Sequence, residues 1–133
     1  MEQFKIELIM SEFGAIRKNA GKALLGKYSR LNPTADAFQK LYTTSKITLY
    51  TDQPFEDLSG VDVVNVIPPF DPTEERYGWR AHDYYQAYGL LNSTADIAIA
   101  MDSDMLIVSD NFKAICQFVT IFGMALPINP RLL

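Results

Sequence analysis

The chain has 133 residues, enough for one domain with a real core and too few for two. Hydrophobic residues make up 48% and charged residues 21%, which excludes a disordered chain. The net charge is −4 and the longest basic cluster is Arg17-Lys18, so no nucleic-acid-binding stripe is present and a phosphorylated ligand would need a metal or a few local basic groups.

Cys116 is the only cysteine, which rules out an intrachain disulfide; it falls on the apolar side of an expected helix. No apolar run approaches the roughly 18–20 residues of a membrane span. The N-terminus opens on Glu2 and Lys5 without a signal-peptide core, so a cytoplasmic location is expected.

Phe4 to Met10 reads as a first strand, with Phe4, Ile6 and Leu8 on one side. Ser11 to Gly14 is a loop. Ile16, Ala20, Ala23 and Leu24 recur at helical spacing up to Gly26. Asn32-Pro33 then starts a second helix that carries Phe38, Leu41 and Tyr42 inward. Lys46 to Thr51 is a strand rich in β-branched and aromatic residues. Val61 to Ile67 is another, stopped by Pro68-Pro69.

Asp71-Pro72-Thr73-Glu74 has the form of a helix start, with a cap, a first-turn proline and an acid. The helix after it places Ala81, Tyr84, Tyr85, Tyr88 and Leu91 on one stripe, and Trp79 is expected to pack with these tyrosines in the core. Asp96 to Met101 is a short run with alanines on one side and Ile97, Ile99 and Met101 on the other, the pattern of a strand buried on both faces. Met105 to Val108 is a further apolar run. Asp110 caps a last helix bearing Phe112, Ile115, Cys116, Val119 and Phe122, ended by Gly123, and Met124 to Ile128 forms a final strand. Strands alternating with helices predict an α/β fold with a largely parallel sheet covered on both faces.

Asp102-Ser103-Asp104 lies between two apolar runs. With ten aspartates in the chain, roughly 0.75 D-x-D triplets are expected by chance, so the triplet carries information only through its setting. Two carboxylates at the carboxyl end of a buried strand stand where α/β sheets place ligands. They repel each other unless a cation sits between them, and Mn²⁺ or Mg²⁺ suits such oxygen ligands and fills its shell with phosphate oxygens. The bland reading is a solvated turn, since Asp and Ser are turn formers. His82, the only histidine, reads as a surface or core-edge residue.

Trp79-Arg80, the helix through Leu90-Leu91, and the segment ADIAIAMDSDMLIVSDNF at residues 95–112 together resemble the GT-A fold glycosyltransferases. Phe4 to Met10 and Lys46 to Asp52 are similar to that family's first two strands. The resemblance implies a three-layer, Rossmann-like open sheet of the nucleotide-diphospho-sugar transferase type. It also implies a hexosyltransferase-like activity that moves a sugar from a UDP- or GDP-sugar to a sugar, lipid or protein acceptor. Asp104 would coordinate Mn²⁺ or Mg²⁺ bridging the diphosphate, and Asp102 would share the metal or contact the ribose beside Ser103. Ile9, Met10 and Ser11 would lie beside base and ribose, Asp52 near the base, and Arg80 against the diphosphate. No catalytic residue is assigned.

Members of the family carry their acceptor half well beyond the D-x-D, and here 29 residues follow Asp104. The expectation is an incomplete, donor-binding half whose open sheet edge favours a homo-oligomer. Two alternatives stay open: a non-catalytic oligomerising remnant of that fold, or a metal-dependent phosphoesterase using the paired carboxylates, with Glu7 as a weak further ligand.

Overall fold

A computed structural model of the chain describes residues 4–14, 38–40, 46–53, 60–102 and 112–125. Its elements are β1 (Ile6–Glu12), β2 (Lys46–Thr51), β3 (Asp62–Asn65), α1 (Tyr77–Asn92), β4 (Ile97–Ala100) and α2 (Phe112–Phe122). The strands form one four-stranded sheet in the order β3-β2-β1-β4, and every pairing is parallel. The fold is therefore α/β with an all-parallel open sheet. The expected first helix and the apolar run Met105 to Val108 lie outside the described residues. So do Leu41, Tyr42, Asp110 and most of the expected final strand.

β1 is central, and all seven of its residues are buried. Parallel strands enclosed in this way need apolar side chains on both faces. Ile6, Leu8 and Met10 join Ile47, Leu49, Ile97 and Met101 on one face, closed by Phe38 from the helical residues 38–40 and by Cys116 of α2. On the other face Phe13 packs with Ala81 and Tyr85 of α1, backed by Tyr50, Val66 and Phe70. The Phe13 and Tyr50 rings both stack on Tyr85, with centroids 5.2 and 5.6 Å away.

Helix α1 reaches the sheet through its smallest residue. A Cβ at Gly89 would stand 2.6 Å from Ile9 Cγ2 and 3.1 Å from Tyr50 Cε2. The buried stripe is accordingly Tyr77, Ala81, His82, Tyr85 and Gly89. This corrects the expected stripe. Tyr84 and Tyr88 are half-exposed, Leu91 is largely exposed, and Trp79 is 69% exposed on the far side of the helix. Hydrophobicity alone misplaces the contact line because histidine and glycine occupy it.

The start of α1 is also later than expected. Asp71 accepts hydrogen bonds from Thr73 N (2.9 Å) and Thr73 Oγ1 (2.7 Å), a local turn that competes with helix. The helix proper begins at Tyr77. At the amino end of the sheet, Glu7 is buried and accepts from Thr48 Oγ1 (2.8 Å) and Ser93 Oγ (2.7 Å), tying the end of α1 to β1 and β2. Helix α2 ends as expected: Gly123 has φ 84° and its N–H donates to Val119 O at 2.7 Å. Among the described residues no helix is long and apolar enough to cross a membrane.

Candidate functional site at the switch point of the sheet

The chain winds from β1 outward through β2 to β3, then returns through α1 to lay β4 on the other side of β1. The winding direction reverses between β1 and β4, so the loops leaving their carboxyl ends diverge. Open α/β sheets bind ligands in that crevice. β4 stops opposite Ile9, where Met101 N donates to Ile9 O at 3.0 Å, and β1 continues to Glu12. Ser11 thereby comes to stand near Asp102.

One histidine joins them. His82 Nδ1 is 2.6 Å from Ser11 Oγ, and His82 Nε2 is 2.9 Å from Asp102 Oδ1. Gln86, one helical turn after His82, adds a bond from Nε2 to the same Oδ1 at 3.3 Å. Ser11 is fully buried, His82 is 8% exposed, and the Asp102 side chain is half-exposed. The chain of bonds therefore runs from the core to the crevice. An ionised carboxylate only accepts, so Nε2 carries the proton and Nδ1 accepts from the serine hydroxyl. The three residue types match a nucleophilic triad, but a serine with no solvent-accessible surface cannot meet a substrate. What the arrangement does chemically is hold one carboxylate oxygen still.

Both bonds to Asp102 fall on Oδ1; among the described residues Oδ2 has none. A carboxylate with one oxygen fixed and the other unspent suits a hard divalent cation. Mg²⁺ in particular is often held by one or two carboxylates plus phosphate oxygens rather than by a closed cage. Asp104 and Ser103 lie outside the described residues, among which no group of three or more His, Cys, Asp and Glu is placed to hold a metal.

The structure brings together Ser11 and Asp102 of the expected site residues. It places Ile9, Met10, Asp52 and Arg80 elsewhere. Ile9 and Met10 are inside β1, not at its end, with their side chains wholly buried, because the strand extends two residues past Met10. Asp52 stands at the carboxyl end of β2 with both oxygens engaged: Oδ1 accepts from Gly14 N (3.2 Å) and Oδ2 from Tyr77 Oη (2.8 Å). It clamps the turn after β1 to the start of α1. Gly14 adopts φ 81° there, a conformation costly for other residues. Burial, followed by the Asp52 bond, pushes the Tyr77 hydroxyl far above the usual tyrosine range.

Arg80 does not reach Asp102. Its guanidinium pairs with Glu74 and lies 4.5 Å over the Phe70 ring, held on the flank of α1 by the turn before it. His82 and Gln86 were the residues that sequence reasoning missed. The available signal was their i, i+4 spacing on the helix that leads into the D-x-D strand: His82 lies on its buried face and Gln86, partly buried, at the border of that face.

Comparison of the chain with protein-family models, with curated proteins and with solved structures returns no match.

Proposed function

We propose that the chain binds a nucleoside-diphosphate sugar together with Mn²⁺ or Mg²⁺ at the β1–β4 crevice, as the donor-binding part of a glycosyltransferase of the GT-A kind. The observation that carries the reading is Asp102, half-exposed beyond β4, with Oδ1 fixed by His82 and Oδ2 free of bonds to the described residues. Three features support it. The strand order matches the 3-2-1-4 half of doubly wound nucleotide-binding sheets. The amino end of α1 lies at this end of the sheet, since the backbone of Gly78 abuts Phe13 O. The sequence after Asp102 supplies a second aspartate, Asp104.

Asp102 and Asp104 would hold the cation, and the protein would orient the diphosphate against it. When bound, the cation supplies neutralisation of the charge that develops on the departing nucleoside diphosphate. Ser11 takes no direct part, since its hydroxyl is committed to His82. The phosphoesterase alternative loses its extra ligand: Glu7 is buried at the opposite end of the sheet and spent on Thr48 and Ser93.

A second reading, self-association, draws on α2. Ile121, Phe122 and Met124 are each at least 66% exposed, and the Phe118 and Phe122 rings stack at 4.2 Å beside them. Apolar patches of this kind mark protein contacts. The test of donor binding is a thermal-shift series with UDP, GDP and their sugars, with and without Mn²⁺. Cation and nucleotide together should raise the melting temperature by linkage, and Asp104→Ala should abolish the rise. No shift with any nucleotide in Mn²⁺ contradicts the reading; a stable oligomer indifferent to nucleotide favours the second.

A further inference from the structure

We propose that His82 is a positioning residue for the cation: it fixes the carboxylate plane of Asp102 so that Oδ2 is the oxygen presented to a divalent metal. This rests on the metal-binding reading above. The geometry goes further than that reading requires. An exposed aspartate at a strand end is satisfied by water and needs no partner from the core. Here a buried imidazole is spent on it, and that imidazole is itself held by a fully buried serine.

Ser11 comes from β1, His82 from α1 and Asp102 from the second residue past β4, so the carboxylate is referenced to the buried centre of the sheet as well as to its own loop. The proton on the ring is placed by the carboxylate end. Asp102 Oδ1 can only accept, which puts the proton on Nε2, and Ser11 Oγ then donates to Nδ1 across 2.6 Å. Gln86 approaches the same Oδ1, which further restricts rotation of the carboxylate. Groups that hydrogen-bond a metal-ligating side chain from behind typically matter for metal affinity at the level of about 10–100-fold.

The test compares the full chain with His82→Leu, His82→Gln and Ser11→Ala. Mn²⁺ affinity is read from the paramagnetic resonance signal of the free ion, with and without UDP or GDP, beside the melting temperature of each protein. His82→Leu should weaken Mn²⁺ at least tenfold, whereas His82→Gln, whose amide N–H can replace Nε2–H, should recover most of the loss. A purely structural role would lower the melting temperature of both variants without that recovery of affinity. Nitrogen–proton correlation spectra of the wild-type imidazole should place the proton on Nε2.

Wild-type Mn²⁺ binding unchanged in His82→Leu overturns the inference alone, as does a proton found on Nδ1. A wild-type chain that binds no Mn²⁺ with any nucleoside diphosphate overturns the metal-binding reading and the inference with it. If His82→Leu does not fold, Ser11→Ala and the imidazole spectrum decide: a Nε2-protonated ring that loses its single tautomer in Ser11→Ala, with weaker Mn²⁺ binding, supports the proposal, and no change in either overturns it.

Discussion

Gly89 of α1 lies directly against Ile9 of β1, at a separation where a single added methyl group would come within 2.6 Å of Ile9 Cγ2. Ile9 has no exposed surface and cannot move aside. Alanine in a helix interior is worth about 1 kcal/mol over glycine. Overpacking a filled core costs about 1–3 kcal/mol. The second effect is expected to win at this site, so Gly89→Ala should lower stability despite its better helix propensity, and Gly89→Val should lower it further. Urea unfolding of the two variants measures the difference.

Asp52 and Tyr77 make a testable clamp. Tyr77→Phe removes the hydroxyl that bonds Asp52 Oδ2 and should cost about 1–2 kcal/mol. The pH dependence has a definite sign. Tyr77 has its hydroxyl pKa raised in the folded state, mainly by burial, so the native protein holds that proton more tightly than the unfolded chain. This contribution is complete below the unfolded value and is lost as pH rises past it. Stability should therefore fall above about pH 10, and Tyr77→Phe should make the fall shallower. Tyr50 and Tyr85, also raised chiefly by burial, add to the same slope. Chemical denaturation across the alkaline range reads it.

Glu7 is expected to be structural. Glu7→Ala leaves Thr48 Oγ1 and Ser93 Oγ without their acceptor and should cost about 2–4 kcal/mol. Lys46, 3.8 Å away and 60% exposed, should matter less when changed to alanine, since its ammonium stays in water and Glu7 keeps both of its hydrogen bonds. Neither change should alter ligand binding, because both residues lie at the end of the sheet remote from Asp102. Melting temperature and nucleotide affinity measured together separate the two effects.

The sheet was legible in the sequence because its strands are short apolar runs bounded by turn residues. Lys46 to Thr51 forms β2 with the expected bounds, and the alternation of alanine with isoleucine correctly placed Ile97, Ile99 and Met101 in one core. Parallel order followed from the alternation of strands with helices. Polar residues hid the rest. Ser11 and Glu12 looked like the start of a loop, yet they continue β1, because His82 gives Ser11 a partner inside the fold. His82 reads in the sequence as a surface or core-edge residue, yet it lies with Gly89 on the helix face that meets the sheet. Arg80 looked available for phosphate until the turn at 71–76 brought Glu74 against it. Each of these depends on contacts between residues far apart in the chain or on a turn that displaces the helix start, which local periodicity does not encode.

Cation-dependent nucleotide binding at Asp102 is tested by calorimetric titration of UDP and GDP into the protein, with and without Mn²⁺, for the wild type and Asp102→Asn. The asparagine keeps an oxygen for His82 Nε2 and removes only the charge that a cation would meet. Nucleotide binding should require the cation and should weaken by about tenfold or more in Asp102→Asn with the fold intact. Binding that is equal in the two proteins, or equal without the cation, would contradict cation-dependent binding at Asp102.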